Sequence, residues 1–323
     1  MKKILGLAAK VAISFALLYF AVGRVNFDVV AERLARLETG WLAAAIAMVG
    51  IQTVVVALRW REVGRLCGFQ LPIGRAFRFT MIATFFNQTL PSTVGGDAAR
   101  IWLAASDGAG WTKATYSVLI GRVVGMLTLA IIVLACMPWS FDLIQNPIGR
   151  AALLVIGIGC VVGPAVFVAC GYRRWELLER WWLTRHIASA AAIARGLLSS
   201  ARTGALVLIF SLAIHLATVV TAWCAARSVA APFELVYSLL LLPPVVLIST
   251  VPISIAGWGV RESAMVLAFA YAGLPESDGL LVSVLLGIAM FAVGVIGGIV
   301  WLLGPETLRM SSLSQPDKAR PAA

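Results

Sequence analysis

The amino-acid sequence predicts an all-α polytopic membrane protein with about six full transmembrane spans and two oppositely oriented re-entrant hairpins, arranged like an inverted repeat. Apolar residues make up 61% of the 323 residues, whereas soluble domains contain roughly 45–50%. Several apolar runs also approach the roughly 20 residues with which a helix crosses the hydrocarbon layer. Two glycine-bearing segments, residues 87–100 and 252–262, interrupt this apolar pattern.

Six apolar runs are predicted to be full spans, and they cover residues 4–22, 41–58, 115–138, 151–170, 204–226 and 280–303. The first run resembles a signal peptide, but Lys10 interrupts it and no clear small-x-small cleavage site follows. We therefore expect an uncleaved span. Residues 1–310 should form one transmembrane domain, and the polar residues 311–323 should form a disordered cytoplasmic tail.

The distribution of arginines predicts the orientation of the chain in a bacterial inner membrane. Arginine-rich segments at 59–78 and 171–202 should both be cytoplasmic, and so should both termini. If the first interrupted segment crossed the bilayer, the second arginine-rich segment would lie outside. That location conflicts with its arginine content. The conflict is removed if residues 77–103 enter from the cytoplasm and return as a re-entrant hairpin. Counting the later spans in the same way makes residues 235–271 a second hairpin, which enters from the outer side. Hairpins of opposite orientation are typical of inverted-topology repeats.

The first hairpin is predicted to contain a helix start within the membrane. Pro91 and the pair Gly95 and Gly96 should end the first helix, and Asp97 should be the N-cap of a short second helix. Free backbone N–H groups and the positive end of the helix dipole, with Arg100 in the first turn, would form a place where a phosphate could bind.

The second interrupted segment repeats this pattern. Pro252 should end a helix, Gly257 and Gly259 should form the break, and Arg261 and Glu262 should lie in the first turn of the helix that follows. Charged groups at this depth are functional in most membrane proteins. The alternative is that the charges of both segments only form buried ion pairs that stabilise the helix starts.

Two further polar positions have open interpretations. Asn87 could bond either the broken backbone or a lipid headgroup. Arg122 is expected to face the same cavity as the broken helices, although an arginine at the start of a span can instead extend to the inner interface. Three GxxxG pairs favour ordinary helix packing over a dimer seam; they are Gly121/Gly125, Gly159/Gly163 and Gly294/Gly298.

Composition narrows the chemistry that this chain can perform. The five cysteines show no CxxC spacing and only two histidines occur, so we predict buried inert thiols, no metal site and no cofactor. No GxxxxGK[ST] loop is present, which disfavours direct coupling to ATP. The net charge of +11 is explained by topology-determining arginines, so we expect no nucleic-acid partner.

The segments N-Q-T-L-P-S followed by G-G-D and Arg100, and P-I-S followed by Gly257, Gly259, Arg261 and Glu262, resemble the lysylphosphatidylglycerol synthase transmembrane region family, also called the flippase-like domain family. The likeness extends over essentially the whole chain. In the larger multiple-peptide-resistance proteins of that family, this membrane module is followed by a cytosolic aminoacyl transferase domain and translocates the aminoacylated lipid. This chain stops soon after its last predicted span, so the resemblance implies only the translocase part. The family often has an acidic residue before the arginine that matches Arg122, where this chain has Gly121.

These observations predict an inner-membrane lipid translocase and not an enzyme. A phosphate-bearing or otherwise anionic headgroup would enter a polar cavity between the hairpins while the acyl chains remain in lipid, and we expect Arg100 and Glu262 to be needed for transport but not for folding. The predicted substrate-binding residues are Asn87, Pro91, Gly95, Gly96, Asp97, Arg100, Arg122, Pro252, Gly257, Gly259, Arg261 and Glu262.

Two alternatives belong to other functional classes. The protein could be a non-catalytic partner that anchors a lipid or glycan synthesis enzyme, or a membrane enzyme that uses Asp97 or Glu262 as acid or base. A homo-oligomer is compatible with all three.

Overall fold

The computed structural model describes Ala12, Ser14 and residues 16–90, 94–172, 201–250 and 258–304. For residues 164–165, 167–172 and 201 it describes the backbone alone. Outside the described residues lie most of the first predicted span, most of the second arginine-rich segment and the predicted tail. Three predicted site residues lie outside them as well, namely Pro91, Pro252 and Gly257.

The described part of the chain is helical and contains no strand. Residues 16–22 are helical, and the later elements are α1 (Phe27–Ala35), α2 (Thr39–Leu66), α3 (Ile73–Thr89), α4 (Gly95–Ala104), a π turn (Ala105–Ala109), α5 (Trp111–Leu143), α6 (Pro147–Tyr172), α7 (Ala201–Ser228), α8 (Leu235–Ser249), α9 (Val260–Tyr271) and α10 (Glu276–Leu302). Within the described residues, α2, α5, α7 and α10 are long and apolar enough to cross a membrane. The predicted all-α, polytopic membrane fold is confirmed.

Both predicted helix breaks are present. Helix α3 ends at Thr89 and helix α8 ends at Ser249, each shortly before a proline in the sequence, where the α conformation becomes unfavourable. The prediction that Asp97 is an N-cap is wrong. Helix α4 begins at Gly95 with Val94 as N-cap, which makes Asp97 the third helical residue.

The long helix α10 shows how the two hairpins are oriented. Near its middle, Gly287 faces the Arg261 side chain at the start of α9, and near its beginning Gly279 faces Phe269 further along α9. Towards its end, Gly294 and Gly298 face Gln88 and Phe85 in α3. The two hairpins therefore enter from opposite ends of α10 and meet near its middle. This agrees with the opposite orientations that the arginine count predicts for them.

A compact turn closes the first hairpin at its base. The π turn leads into α5 through Gly108 and Gly110, whose φ angles of 100° and 77° fall in the left-handed region that glycine tolerates. Across the base, Arg75 Nη1 lies 2.8 Å from the Asp107 carboxylate. The Arg75–Asp107 ion pair thus links the first turn of α3 to the turn that follows α4.

The contact between α3 and α10 depends on glycine. A Cβ atom at Gly297 would clash with the Met81 carbonyl oxygen, and one at Gly298 would lie 2.8 Å from the Phe85 ring. Glycine at these positions lets the two backbones approach closely. The GxxxG pair Gly294/Gly298 is therefore confirmed as a packing motif within the chain.

We expect Gly297→Ala to lower the free energy of unfolding by about 1–3 kcal/mol, the usual cost of overpacking, because the clash is with backbone that cannot rotate away. Thermal unfolding of the detergent-solubilised protein measures this loss. The matched control is Gly50→Ala in α2, where a Cβ would meet no atom within 4 Å. Equal melting temperatures for the two variants would contradict the proposed tight contact.

Candidate functional site

Asp97 is the centre of a charged cluster at the break of the first hairpin. Its Oδ2 accepts a hydrogen bond from Arg122 Nε in α5, and its Oδ1 lies 3.9 Å from Arg100 Nη1. The exposed fractions of the side chains are 10% for Asp97, 14% for Arg100 and 36% for Arg122. Arg122 therefore faces this site, as predicted, and is its most accessible cation.

Arg59 is a further cation of this cluster that the sequence pattern assigned to a cytoplasmic segment. In the structure Arg59 lies inside α2, and its Nη1 donates a hydrogen bond of 3.2 Å to Ser211 Oγ in α7. It interacts electrostatically with both Arg100 and Asp97. A Cβ atom at Gly125 would lie 3.2 Å from Arg59 Nη1, so this glycine provides room for the guanidinium group.

The cluster carries more positive than negative charge. Three guanidinium groups surround the single carboxylate of Asp97, which leaves two positive charges among these four side chains. The Nε atom of Arg100 is buried and has no hydrogen-bond partner among the described residues. Its guanidinium group lies 5.8 Å from the Trp60 ring, in cation–π geometry. Because buried cations are costly without counter-charge, this arrangement favours an anion.

The second hairpin contains a balanced ion pair. Glu262 is fully buried, and its Oε1 accepts hydrogen bonds of 2.7 Å from Arg261 Nη2 and 3.1 Å from Ser283 Oγ. Its Oε2 accepts a 2.6 Å hydrogen bond from the Gly259 backbone N–H, so the Glu262 carboxylate caps the start of α9. Arg261 also lies 5.1 Å from the Trp258 ring. This geometry agrees with the alternative that these two charges stabilise a helix start.

The other predicted site residues of the first hairpin are occupied by packing. The Asn87 side chain accepts a 2.8 Å hydrogen bond from the Gly96 backbone N–H, so it caps α4 from α3. A Cβ atom at Gly95 would lie 2.8 Å from the Phe86 carbonyl oxygen, and one at Gly96 would clash with α3. These residues hold the hairpin closed and thereby position Asp97 and Arg100.

Metal binding and nucleophilic catalysis have few candidate groups among the residues that the structure describes. The described residues contain no group of three or more His, Cys, Asp and Glu side chains that could hold a metal ion. At the end of α2, burial raises the pKa of the Cys67 thiol to about 11. This thiol stays protonated near neutral pH and is a poor nucleophile.

Both hairpins and the charged groups at their breaks lie within the part of the chain that matches a known protein family. A family model described as Lysylphosphatidylglycerol synthase TM region matches residues 7–298. The chain belongs to this family. A comparison with curated proteins finds no match. The matched region includes both motifs and most of α10, so the arginine cluster and the Glu262 ion pair are parts of one lysylphosphatidylglycerol synthase TM region.

Within this lysylphosphatidylglycerol synthase TM region, two contributions were not predicted from sequence. Arg59 belongs to the cluster of the first hairpin, and Gly287 makes room for Arg261, since a Cβ there would lie 2.6 Å from Arg261 Nη2. The GxxxG spacing drew attention to Gly121 and Gly125 for helix packing, whereas the structure places the Arg59 guanidinium beside both.

Proposed function

We propose that this protein is an inner-membrane translocase for lipids with an anionic, phosphate-bearing headgroup. The observation that carries the proposal is the excess of positive charge formed by Arg59, Arg100 and Arg122 around Asp97, at a helix break between membrane-spanning helices. Membership of the lysylphosphatidylglycerol synthase TM region family supports a role with membrane lipids. The proposal keeps both termini in the cytoplasm, as the arginine count predicts.

The headgroup phosphate would bind the guanidinium groups and compete with Asp97 for them. Arginine presents several N–H donors in one plane and binds phosphate with two parallel hydrogen bonds. Of the two arginines that pair with Asp97, Arg122 has the more exposed side chain. The buried Nε of Arg100 offers a further donor. Asp97 returns to the arginines when the lipid leaves, so the three arginines are never left without an anion.

The proposal involves no covalent step. The carboxylate of Glu262 is fully engaged by Arg261, Ser283 and the Gly259 N–H, and Asp97 is engaged by arginines, which leaves neither free to act as acid or base. A partner enzyme that makes the lipid would act beside this protein. The role of the second hairpin would be to form the opposite wall of the pathway.

Transport in proteoliposomes tests the proposal. A fluorescently labelled phosphatidylglycerol is incorporated, and the rate at which its label becomes accessible to added dithionite is measured with and without protein. We expect Arg100→Gln to slow this exchange by at least about tenfold, since losing a hydrogen bond to a charged group costs about 1.5–3 kcal/mol. A labelled glycolipid without phosphate should exchange no faster than in protein-free vesicles.

The matched control is Arg36→Gln, because Arg36 forms a surface ion pair with Glu32 and its side chain is 72% exposed. Such pairs contribute little, so this variant should transport like the native protein. Equal exchange by Arg100→Gln and Arg36→Gln would contradict the proposal, as would native rates that match protein-free vesicles.

A further inference from the structure

An apolar groove lies beside the arginine cluster, between α5, α6 and α8. It has a volume of about 340 Å³, and its lining includes Val123, Met126 and Ala130 of α5, Gly159 and Gly163 of α6, and Leu247 of α8. Small-molecule sites in proteins have volumes of about 300–1,000 Å³. The groove is therefore large enough to hold part of a ligand.

Two glycines keep this groove open. The spacing of Gly159 and Gly163 predicts helix packing, but a Cβ atom at either position would meet no atom within 4 Å. Gly157 on the same helix behaves differently, because a Cβ there would lie 2.8 Å from Met137 Cε. Helix α6 thus packs on α5 through Gly157, while Gly159 and Gly163 face open space.

The groove lies one helical turn beyond Arg122 in α5. Its lining residue Met126 is four residues after Arg122 and therefore lies on the same side of the helix, and Ala130 is one turn beyond Met126. Charge followed by a hydrocarbon-lined path is the order of groups in a phospholipid. With the N-terminal end of α5 facing the cytoplasm, the path also runs towards the bilayer centre, as acyl chains of the inner leaflet do.

We propose that this groove binds one acyl chain of the lipid whose phosphate is held by the arginine cluster. The inference rests on the proposed function and adds that the protein recognises hydrocarbon as well as charge. Continuity with Arg122 favours an acyl chain over a second copy of the protein, because only a ligand with a charged end uses both parts. The acyl chain then moves with the headgroup along α5 at the start of transport. This differs from the expectation from sequence, in which the acyl chains remain in lipid.

Photo-crosslinking tests this binding site directly. Phosphatidic acid with a diazirine in the middle of one acyl chain is added to phosphatidylcholine vesicles that contain the protein, and the crosslinked peptides are mapped by mass spectrometry. We expect crosslinks in the α5 and α6 segments that line the groove, and unlabelled phosphatidic acid should compete for them. Arg122→Gln should reduce them, because the headgroup no longer anchors the chain.

Filling the groove supplies the critical variant. Gly159→Leu places a side chain in the open space and should lower both groove crosslinking and phosphatidylglycerol exchange by about tenfold, since several methylene contacts are lost. Gly50→Leu is the matched control, because a Cβ at Gly50 in α2 also meets no atom within 4 Å. Because a Cβ atom has no neighbour within 4 Å at either position, we expect the melting temperatures of both variants to match that of the native protein.

The outcomes separate this inference from the proposed function. Native crosslinking and exchange in Gly159→Leu would overturn the acyl-chain site while leaving the arginine cluster as a headgroup site. Loss of a dimer in Gly159→Leu, with unchanged exchange, would show that the groove is a subunit interface and would also overturn it. If the native protein neither crosslinks to phosphatidic acid nor speeds exchange, the proposed function itself fails.

Discussion

Replacing Glu262 by alanine is expected to lower the free energy of unfolding by about 3–5 kcal/mol, the cost of leaving one partner of a buried ion pair uncompensated. The Glu262 side chain is completely buried, and the Arg261 side chain is 12% exposed. The substitution would also remove the acceptor for the Gly259 N–H at the start of α9. We therefore expect little folded protein, in contrast to the expectation from sequence that Glu262 is needed only for transport.

Thermal unfolding and yield after size-exclusion chromatography measure this effect. The matched control is Glu276→Ala, because Glu276 pairs with Arg24 at 3.7 Å and its side chain is 31% exposed, and such pairs contribute about 0–1 kcal/mol. The double variant Glu262→Ala with Arg261→Leu should recover part of the loss, since it removes the unpaired cation as well. A stable Glu262→Ala protein that fails to transport would instead assign Glu262 to the transport site.

Asp97→Asn should have the opposite effect on lipid binding from the loss of an arginine. Asp97 occupies the donors that a phosphate would use, so its neutralisation should tighten phosphatidic acid binding by about tenfold, which equals about 1.4 kcal/mol. Release should slow and transport should fall. Arg59→Gln should weaken binding by a similar factor, because it removes one of the three positive charges near Asp97.

Equilibrium binding of labelled phosphatidic acid to protein in detergent measures both changes. Asp107→Asn is the matched control, because Asp107 forms its ion pair with Arg75 at the base of the same hairpin. It should leave lipid affinity unchanged. Weaker binding by Asp97→Asn would show that the main effect of this carboxylate is to position Arg122, and would contradict the competition between Asp97 and phosphate.

The helix breaks were predictable because proline and glycine act locally. Proline removes a backbone donor and restricts the preceding residue, and both first helices of the hairpins end within a few residues before a proline. The opposite orientation of the two hairpins relative to each other followed from counting arginines. The start of α4 was missed by three residues, because the capping group of Gly96 comes from Asn87 in the neighbouring helix and a local pattern contains no information on such a contact.

The membership of the charged cluster could not be predicted in full from sequence. Arg59 follows an apolar run and precedes other arginines, which is the pattern of a membrane interface. Its position inside the bundle depends on Ser211 and Gly125, which lie 152 and 66 residues away in the chain. Composition also made the two hairpins look alike, whereas burial and hydrogen bonding show one cluster with excess charge and one that is neutral.

The unequal charges of the two hairpins affect how a lipid would respond to the electrical field across the membrane. In the orientation that the arginine count predicts, the positive cluster lies in the inner half of the bilayer and the neutral Arg261–Glu262 pair lies in the outer half. Bacterial membranes are electrically negative inside, so an anion that leaves the cluster towards the outer half gains about 2.3 kcal/mol per charge for each 100 mV it crosses. An anionic lipid moved outward along this route could draw its driving force from the membrane potential, and dissipating that potential would remove it.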